Sequence, residues 1–460
     1  MKLSRLRNVH FVGIGGIGMS GIAEVLLTLG FTVTGSDLKE SAVTKQLVSR
    51  GARVVISHSA ANVAGAQVLV YSSAISRENP EIEEARRLGI PVIPRAEMLA
   101  ELMRMKSAVA VAGSHGKTTV TAMIAHLAHS AGLDPTVVIG GRLSTLEASA
   151  RLGKGDLMVA EADESDRTFL LLSPSLAVIT NIDWEHVDCY PNISDLKEAF
   201  LQFANRVPFY GACVACADDE NLRSLLPRFR RRVVTYGVNS AADFLAVPQE
   251  SAAAGECFTL RVRGREWGQV SLPQVGRHII LNALAALATG DELEIPFESM
   301  RASLANFPGA DRRFQFKGAA GGVRVVDDYG HHPTEIAATL ETARRVAGKG
   351  RVVVLFQPHR YTRLSALMKG FAEILSKADL VVVSQVYAAG EKPIPRATGE
   401  ELARAIGELG HGAAFYCAKV EEMPDFVRPK LLEGDLVITL GAGTVTSVGD
   451  PLLQSLGRPA

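Results

Sequence analysis

Cysteine is scarce in this chain. Five cysteines among 460 residues, odd in number and scattered, exclude a disulfide scaffold. Only Cys213 and Cys216 form a C-x-x-C pair. A zinc site would need a second pair, or histidines at ligand spacing, and neither stands nearby. The surrounding run Gly-Ala-Cys-Val-Ala-Cys-Ala reads as a buried strand, since free cysteine behaves as a small hydrophobe. Net charge is also missing: 49 Lys and Arg balance 49 Asp and Glu. A nucleic-acid binder draws its affinity from a basic excess, so no nucleic-acid partner is expected. No apolar run reaches the ~18–20 residues of a membrane helix. Lys2, Arg5 and Arg7 ahead of an apolar stretch imitate a signal peptide. Gly13, Gly15, Gly16, Gly18 and Gly21 interrupt that stretch, and no small-residue cleavage site follows cleanly. The expectation is a cytoplasmic protein with no membrane insertion. Low-complexity linkers and short repeats are absent too.

What is there is ordinary globular sequence, 47% hydrophobic and 21% charged. At roughly 100–200 residues per domain, the length suggests about three domains. Segments 1–105, 106–309 and 310–460 each alternate short apolar runs with helical patterns, which predicts parallel strands with helical crossovers. In the first, strands are expected at 9–12, 32–35 and 68–71 and helices at 18–29, 42–50 and 81–88. In the second, a strand at 108–112 leads to a helix over 117–130, with further strands at 157–160, 176–179, 213–217 and 232–236. Strict alternation between 243 and 272 predicts an antiparallel hairpin, and helices follow at 278–289 and 297–306. In the third, strands are expected at 323–326, 352–356, 380–384 and 436–440, and helices at 335–347, 363–375, 399–409 and 420–431.

Four motifs carry chemistry. Gly13-Ile-Gly15-Gly16-Ile-Gly18 follows a strand and opens a helix, the context in which glycines let a diphosphate approach the helix N-terminus. Ser36 and Asp37 end the next strand, and Asp37 stands nineteen positions beyond Gly18. That spacing suits a ribose-binding carboxylate, so a nicotinamide cofactor is the default ligand and any nucleotide diphosphate the second. The next motif is Gly113-Ser114-His115-Gly116-Lys117-Thr118-Thr119. It lacks the first glycine of the full phosphate-loop pattern, where Val111 stands, but Gly-Lys-Thr is intact. Backbone amides cradle phosphates, Lys117 reaches the β- and γ-phosphates, and Thr118 can ligand Mg2+. Third, Glu161-Ala-Asp163-Glu164-Ser-Asp166 follows a strand, where acids are placed to meet Mg2+. Fourth, Asn181-Ile-Asp183-Trp184-Glu185-His186 follows another strand at the same expected sheet edge, and His186 could be a second ligand.

Together with Gly276-Arg-His, Asp327-Asp-Tyr-Gly-His-His-Pro-Thr-Glu335, Phe356-Gln-Pro-His-Arg-Tyr-Thr-Arg363, Val386-Tyr-Ala-Ala-Gly-Glu391 and Gly441-Ala-Gly443, these motifs make the chain resemble the Mur ligases. That family forms amide bonds with ATP in peptidoglycan synthesis. The resemblance spans essentially the whole length, and the runs 327–335 and 356–363 point within it to alanine addition. It implies a Rossmann-like N-terminal domain, a P-loop ATPase-like central domain and a Rossmann-like C-terminal domain. It implies ATP and Mg2+, with UDP-N-acetylmuramate and L-alanine as partners. The first glycine loop then serves UDP rather than a nicotinamide, with Gly15, Gly16, Gly18, Ser36, Asp37, Ser72 and Ser73 as its site. Residues 113–119, Asn282, Arg313, Asp328 and Tyr329 fall to ATP. Thr118, Glu161 and His186 fall to metal, and Lys117, Glu161, His186, His331, Arg360 and Arg363 to catalysis. Arg360 and Arg363, three residues apart on an expected helix start, would share a face suited to a carboxylate or phosphate. Two departures stand out. Ile279 replaces the first asparagine of the family's Asn-x-x-Asn, leaving Asn282. Lys197 lies near the position of a modified lysine in other members, without a motif match. A peptide-recycling ligase using the same UDP-sugar, an NAD-dependent oxidoreductase and a non-catalytic nucleotide-binding regulator remain as alternatives at this stage.

Overall fold

The computed structural model describes residues 6–72, 75–139, 150–151, 153–185, 189–249 and 255–457. Ser73 and His186 lie outside them. Among the described residues, the strands gather into three sheets.

The first sheet holds β1 (Asn8–Val12), β2 (Thr32–Ser36), β3 (Arg53–Val55), β4 (Val68–Tyr71) and β5 (Val92–Pro94). All pair in parallel, in the order β3-β2-β1-β4-β5. Connecting them are α1 (Ile17–Thr28), α2 (Ala42–Ser49) and α3 (Pro80–Arg87), and α4 (Arg95–Met103) follows β5. The order reverses between β1 and β4, and the carboxyl ends of those strands flank the crevice where open parallel sheets take ligands. Ser41 and Thr44 close α2 with a capping box, and Asn79 caps α3 ahead of Pro80. By contrast, α1 starts after Gly16 with no capping side chain and no acid in its first turn.

The second sheet contains β6 (Ser107–Ala112), β7 (Thr136–Val138), β8 (Ala150–Arg151), β9 (Leu157–Glu161), β10 (Leu176–Ile179), β11 (Ala212–Cys216), β12 (Arg232–Gly237), β13 (Phe244–Pro248), β14 (Glu256–Val262) and β15 (Arg265–Leu272). Its order is β15-β14-β13-β12-β11-β10-β6-β9-β7-β8. The parallel strands β6, β7, β9, β10 and β11 are nearly continuous apolar runs, the pattern of strands covered on both faces. The helices of this segment include α5 (Lys117–Ser130), α6 (Ile193–Ala204), α7 (Glu220–Leu225), α8 (Arg277–Glu292) and α9 (Phe297–Ala305). Cys213 and Cys216 lie inside β11, buried, with both thiols pushed up by burial, as the strand reading expects. The expected hairpin is β14–β15, turned by Arg263 and Gly264, both at positive φ.

The third sheet holds β16 (Gln315–Ala320), β17 (Val323–Asp328), β18 (Val352–Phe356), β19 (Leu380–Val383), β20 (Ala414–Tyr416) and β21 (Leu436–Leu440), in the order β16-β17-β21-β18-β19-β20. Only β16 runs antiparallel. On one face α10 (Pro333–Ala347), α11 (Tyr361–Leu375) and α12 (Gly399–Glu408) bury Ile336, Phe371 and Leu402. On the other, α13 (Met423–Val427) and α14 (Gly449–Leu456) bury Met423 and Leu452. The long helix expected over 420–431 is broken instead. Pro424 and Pro429 each remove an amide, and the stretch divides into short 3-10 turns around the five residues of α13. The chain forms two compact units: the first two sheets share one, and the third sheet with Glu256 and Gln274–Ile279 forms the other.

Candidate active site

In the first unit, β6 ends at Ala112 and α5 begins at Lys117, so residues 113–116 make a tight phosphate-type loop. Gly113 has φ +137°, and a Cβ there would collide with the Thr180 hydroxyl. Gly116 caps α5 at φ +83°, and a Cβ there would lie 2.9 Å from Asn282 Oδ1. Asn282, on α8, therefore sits against the loop. Val111, which takes the place of the missing first glycine, is buried within β6. The segment after β10 holds the loop from behind. Asn181 Oδ1 accepts from the His115 amide at 2.8 Å, and the Thr180 hydroxyl donates to the His115 carbonyl at 2.6 Å. The Ser114 hydroxyl donates to the Asp183 carbonyl at 2.9 Å, and His115 Nε2 meets Asp183 Oδ2 at 3.0 Å.

Lys117 folds back over this loop. Its Nζ donates to the carbonyls of Gly113 and Ser114 and to Glu164 Oε1 at 2.8 Å. Burial works against its charge, but Glu164, Asp163 and Glu185 hold the ammonium well above the ordinary lysine range. Asp163 is itself held below the usual carboxylate range: burial opposes this, but Lys117, hydrogen bonds from Ser165, and Arg95 together outweigh it. Because β6 lies between β9 and β10, three parallel strand ends open on one edge. They deliver Lys117 and Thr118 from β6, Glu161, Asp163 and Glu164 from β9, and Asp183, Trp184 and Glu185 from β10. This set of carboxylate and hydroxyl oxygens beside a partly buried lysine fits a hard divalent cation such as Mg2+. Trp184 is partly exposed and donates its indole N–H to the Tyr190 carbonyl at 3.1 Å. Lys197, on α6, hydrogen-bonds Asn221 at 3.3 Å.

In the same unit, the first glycine loop lies at the carboxyl ends of β1, β2 and β4. A Cβ on Gly13 would meet Ile75 and Ser72. Asp37 is differently employed from a ribose-binding acid: its Oδ2 accepts from the Gly15 amide at 2.8 Å and its Oδ1 from the Leu38 amide at 2.8 Å. The carboxylate ties down the loop itself. Ser36 is fully buried, and its hydroxyl donates to Glu81 Oε2 at 2.7 Å. Glu81 also accepts from His10, Asn62 and the Ser59 amide. Burial opposes its charge, but the hydrogen bonds from His10, Ser36 and Asn62 lower its pKa to about 2.

The second unit has its own cluster. Tyr329 follows β17, with the guanidinium carbons of Arg312 and Arg313 at 4.9 and 5.2 Å from its ring centre. Asp328 is buried and accepts from the amides of Phe314 and Gly330, so it shapes the backbone of this loop. Burial raises its pKa, against the pull of Arg313 and those bonds. The His331 ring packs edge-on against Tyr329 and against His359, which stacks on Tyr387 at 5.5 Å. Arg363 Nη1 reaches His359 Nδ1 at 3.3 Å. Burial and Arg363 lower His331 to about 3 and His359 to about 4, so both rings are neutral near pH 7. Neutral His331 donates Nδ1–H to the Tyr329 carbonyl at 3.1 Å, which leaves the lone pair on Nε2. The shared helical face expected of Arg360 and Arg363 does not form. Arg360 precedes α11 at φ +68°, its amide bonded to the Tyr387 carbonyl, and its side chain lies 4.0 Å from Glu391. Only Arg363 is helical.

From the sequence, Glu164 is expected only as one acid of the 161–166 motif, and no role is expected of Arg312, His359 or Arg95. His359 and Glu164 stood inside quoted motifs, and each could have been raised by its neighbours. Arg95 carries no local signal. The chain matches three family descriptions: Mur ligase family, catalytic domain, over residues 8–107; Mur ligase middle domain over 111–290; and Mur ligase, glutamate ligase domain, over 312–443. It is 52% identical to the UDP-N-acetylmuramate–L-alanine ligase of Solibacter usitatus, over 98% of this chain and 96% of that one. Among solved structures, it superposes on the UDP-N-acetylmuramate–alanine ligase of Thermotoga maritima with a TM-score of 0.82 and 30% identity, covering 97% and 98% of the two chains. A murein peptide ligase from Psychrobacter arcticus shares the fold at a TM-score of 0.72 and 23% identity, over 99% of each chain.

Proposed function

The chain belongs to the Mur ligase family, and on that premise we propose that it joins L-alanine to the carboxylate of UDP-N-acetylmuramate at the expense of ATP, in peptidoglycan precursor synthesis. A carboxylate is a poor electrophile, so amine and acid do not condense near neutral pH. Attack of a carboxylate oxygen on the γ-phosphorus releases ADP and leaves an acyl phosphate. The alanine amine then attacks the acyl carbon, phosphate departs, and the nitrogen loses its proton. No helix among the described residues is long and apolar enough to cross a membrane, and a reaction on ATP and a nucleotide sugar suits the cytoplasm.

The observation that carries this reading is Lys117, charged and partly buried on a phosphate-type loop, at a sheet edge lined with acids. Its ammonium is held where it can draw charge from the transferring phosphoryl group. Thr118 and Glu161, with His186, would hold Mg2+, which would supply neutralisation of the phosphate charge. Asn282, against the loop, suits the adenine, and Arg313 and Tyr329, which pack together, suit a nucleotide phosphate and ring. The glycine loop with Ser72 suits the UDP moiety, and Asp37 orders its backbone. Neutral His331, through Nε2, accepts a hydrogen bond from the alanine amino group, while Arg360 and Arg363 answer its carboxylate.

The test is phosphate release from ATP with UDP-N-acetylmuramate, with and without L-alanine. Alanine-dependent release, with product of the expected mass, is the expected result. Release that needs a tripeptide instead, or none with any amine, would refute the assignment. Identity of 52% to the alanine-adding relative favours alanine as the amine.

A further inference from the structure

We propose that Arg95 binds the diphosphate of the nucleotide sugar, reaching across the first turn of α1 as the cationic partner that the glycine loop lacks. The inference rests on the proposed function and adds a residue to its substrate site. Arg95 is the first residue of α4, directly after β5, so its backbone stands at the carboxyl edge of the first sheet. Its side chain runs back over α1. A Cβ built on Gly18 would lie 2.9 Å from Arg95 Nη1, 3.2 Å from Cδ and 3.3 Å from Cζ. Glycine at 18 therefore makes room for a guanidinium as well as for a ligand.

The surroundings show what that guanidinium is for. Its side chain is three-quarters buried, yet its nearest anion among the described residues is Asp163 Oδ2 at 3.9 Å, beyond hydrogen-bonding distance. Five N–H donors at such depth, with one loose ion pair, call for an acceptor that arrives from outside. The adjoining α1 N-terminus carries partial positive charge and neither a capping side chain nor a first-turn acid. A diphosphate presents paired oxygens that a planar guanidinium grips in bidentate fashion. Asp163 then acts as the resting tether. It follows β9 beside Lys117, so the same arginine stands between the UDP loop and the phosphoryl-transfer edge.

Calorimetric titration of the full chain with UDP-N-acetylmuramate, UDP and uridine tests this. Arg95→Ala is expected to weaken UDP-N-acetylmuramate and UDP alike, by roughly ten- to a hundredfold, with Arg95→Lys recovering part of the loss. Uridine should bind the variants as it binds the unaltered chain. In steady state, KM for the nucleotide sugar should rise while KM for ATP and kcat at saturation stay within about twofold. UDP bound equally well by Arg95→Ala would overturn the proposal, and so would an equal loss of ATP affinity, the mark of a purely structural tie to Asp163. A loss confined to UDP-N-acetylmuramate would overturn the diphosphate assignment. If the unaltered chain binds no UDP-N-acetylmuramate, the proposed function falls, a result read before any variant is made.

Discussion

The two glycine loops of the first unit are built alike and equipped differently. Each leaves the carboxyl end of a parallel strand, turns through glycines and opens a helix. The loop at 113–116 carries its own cation and is fastened from behind by Thr180, Asn181 and Asp183. The loop at 13–18 has no charged side chain; Asp37 pins its backbone, and Arg95 arrives from seventy-seven positions beyond Gly18. Backbone geometry suits an anion in both cases. Side chains brought from elsewhere decide whether the anion is held or made to react.

Replacing Lys117 with Ala breaks the contrast most sharply. Phosphate release should fall on the order of 10²–10³-fold, the cost of removing a transition-state donor, while UDP-N-acetylmuramate binding is retained. Near-normal turnover would place the cation elsewhere. Next come alanines at corresponding glycines. Gly113→Ala forces a positive φ and a collision with Thr180, so it should cost roughly 2–4 kcal/mol in a denaturant titration. Gly18→Ala meets only the mobile end of Arg95 and should cost under about 1 kcal/mol. Equal costs would dissolve the distinction between a fastened loop and an open one. Glu161→Gln should raise the Mg2+ concentration for half-maximal activity on the order of tenfold, leaving UDP affinity alone. An unchanged Mg2+ requirement would remove Glu161 from the metal site.

The smallest effect lies outside both loops. Burial lowers His331 to about 3 and His359 to about 4, below the ordinary histidine value. The unfolded chain then binds more protons than the folded one below about pH 6.5, so stability falls as pH drops from there toward 4. Thermal unfolding of His359→Gln between pH 7.5 and 5 should show a shallower decline than the unaltered chain. Identical slopes would count against a neutral buried ring.

Sequence legibility followed local signal. The apolar strands and the glycine loops were readable because period and punctuation lie within a few residues. Helix α6 does carry a local start signal, since Asn192 caps it through the Asp195 amide, although it is not among the helices expected from the sequence. The helix expected over 420–431 does not form because Pro424 and Pro429 interrupt its apolar spacing. Arg360 misled for a subtler reason. Its spacing from Arg363 suits a helix, but the bridge between His359 and Tyr387 holds it in a left-handed turn. Ser36 and Asp37 stand where ligand contacts were expected, yet their side chains answer to Glu81 and Gly15. Contacts made across the fold, such as Arg95 on Gly18, leave no trace at either position alone.

The pairing of Lys117 with Glu164 gives the loop at 113–116 a threshold. An anion that recruits this ammonium must take it from a carboxylate already 2.8 Å away, so the favourable energy is the difference between two partners. A singly charged visitor gains little by that exchange, whereas a polyphosphate brings several charges at once. The loop, meanwhile, is ordered before any visitor arrives, and little conformational entropy remains to be lost on docking. The internal rival and the rigid frame together favour ligands by valence rather than by shape.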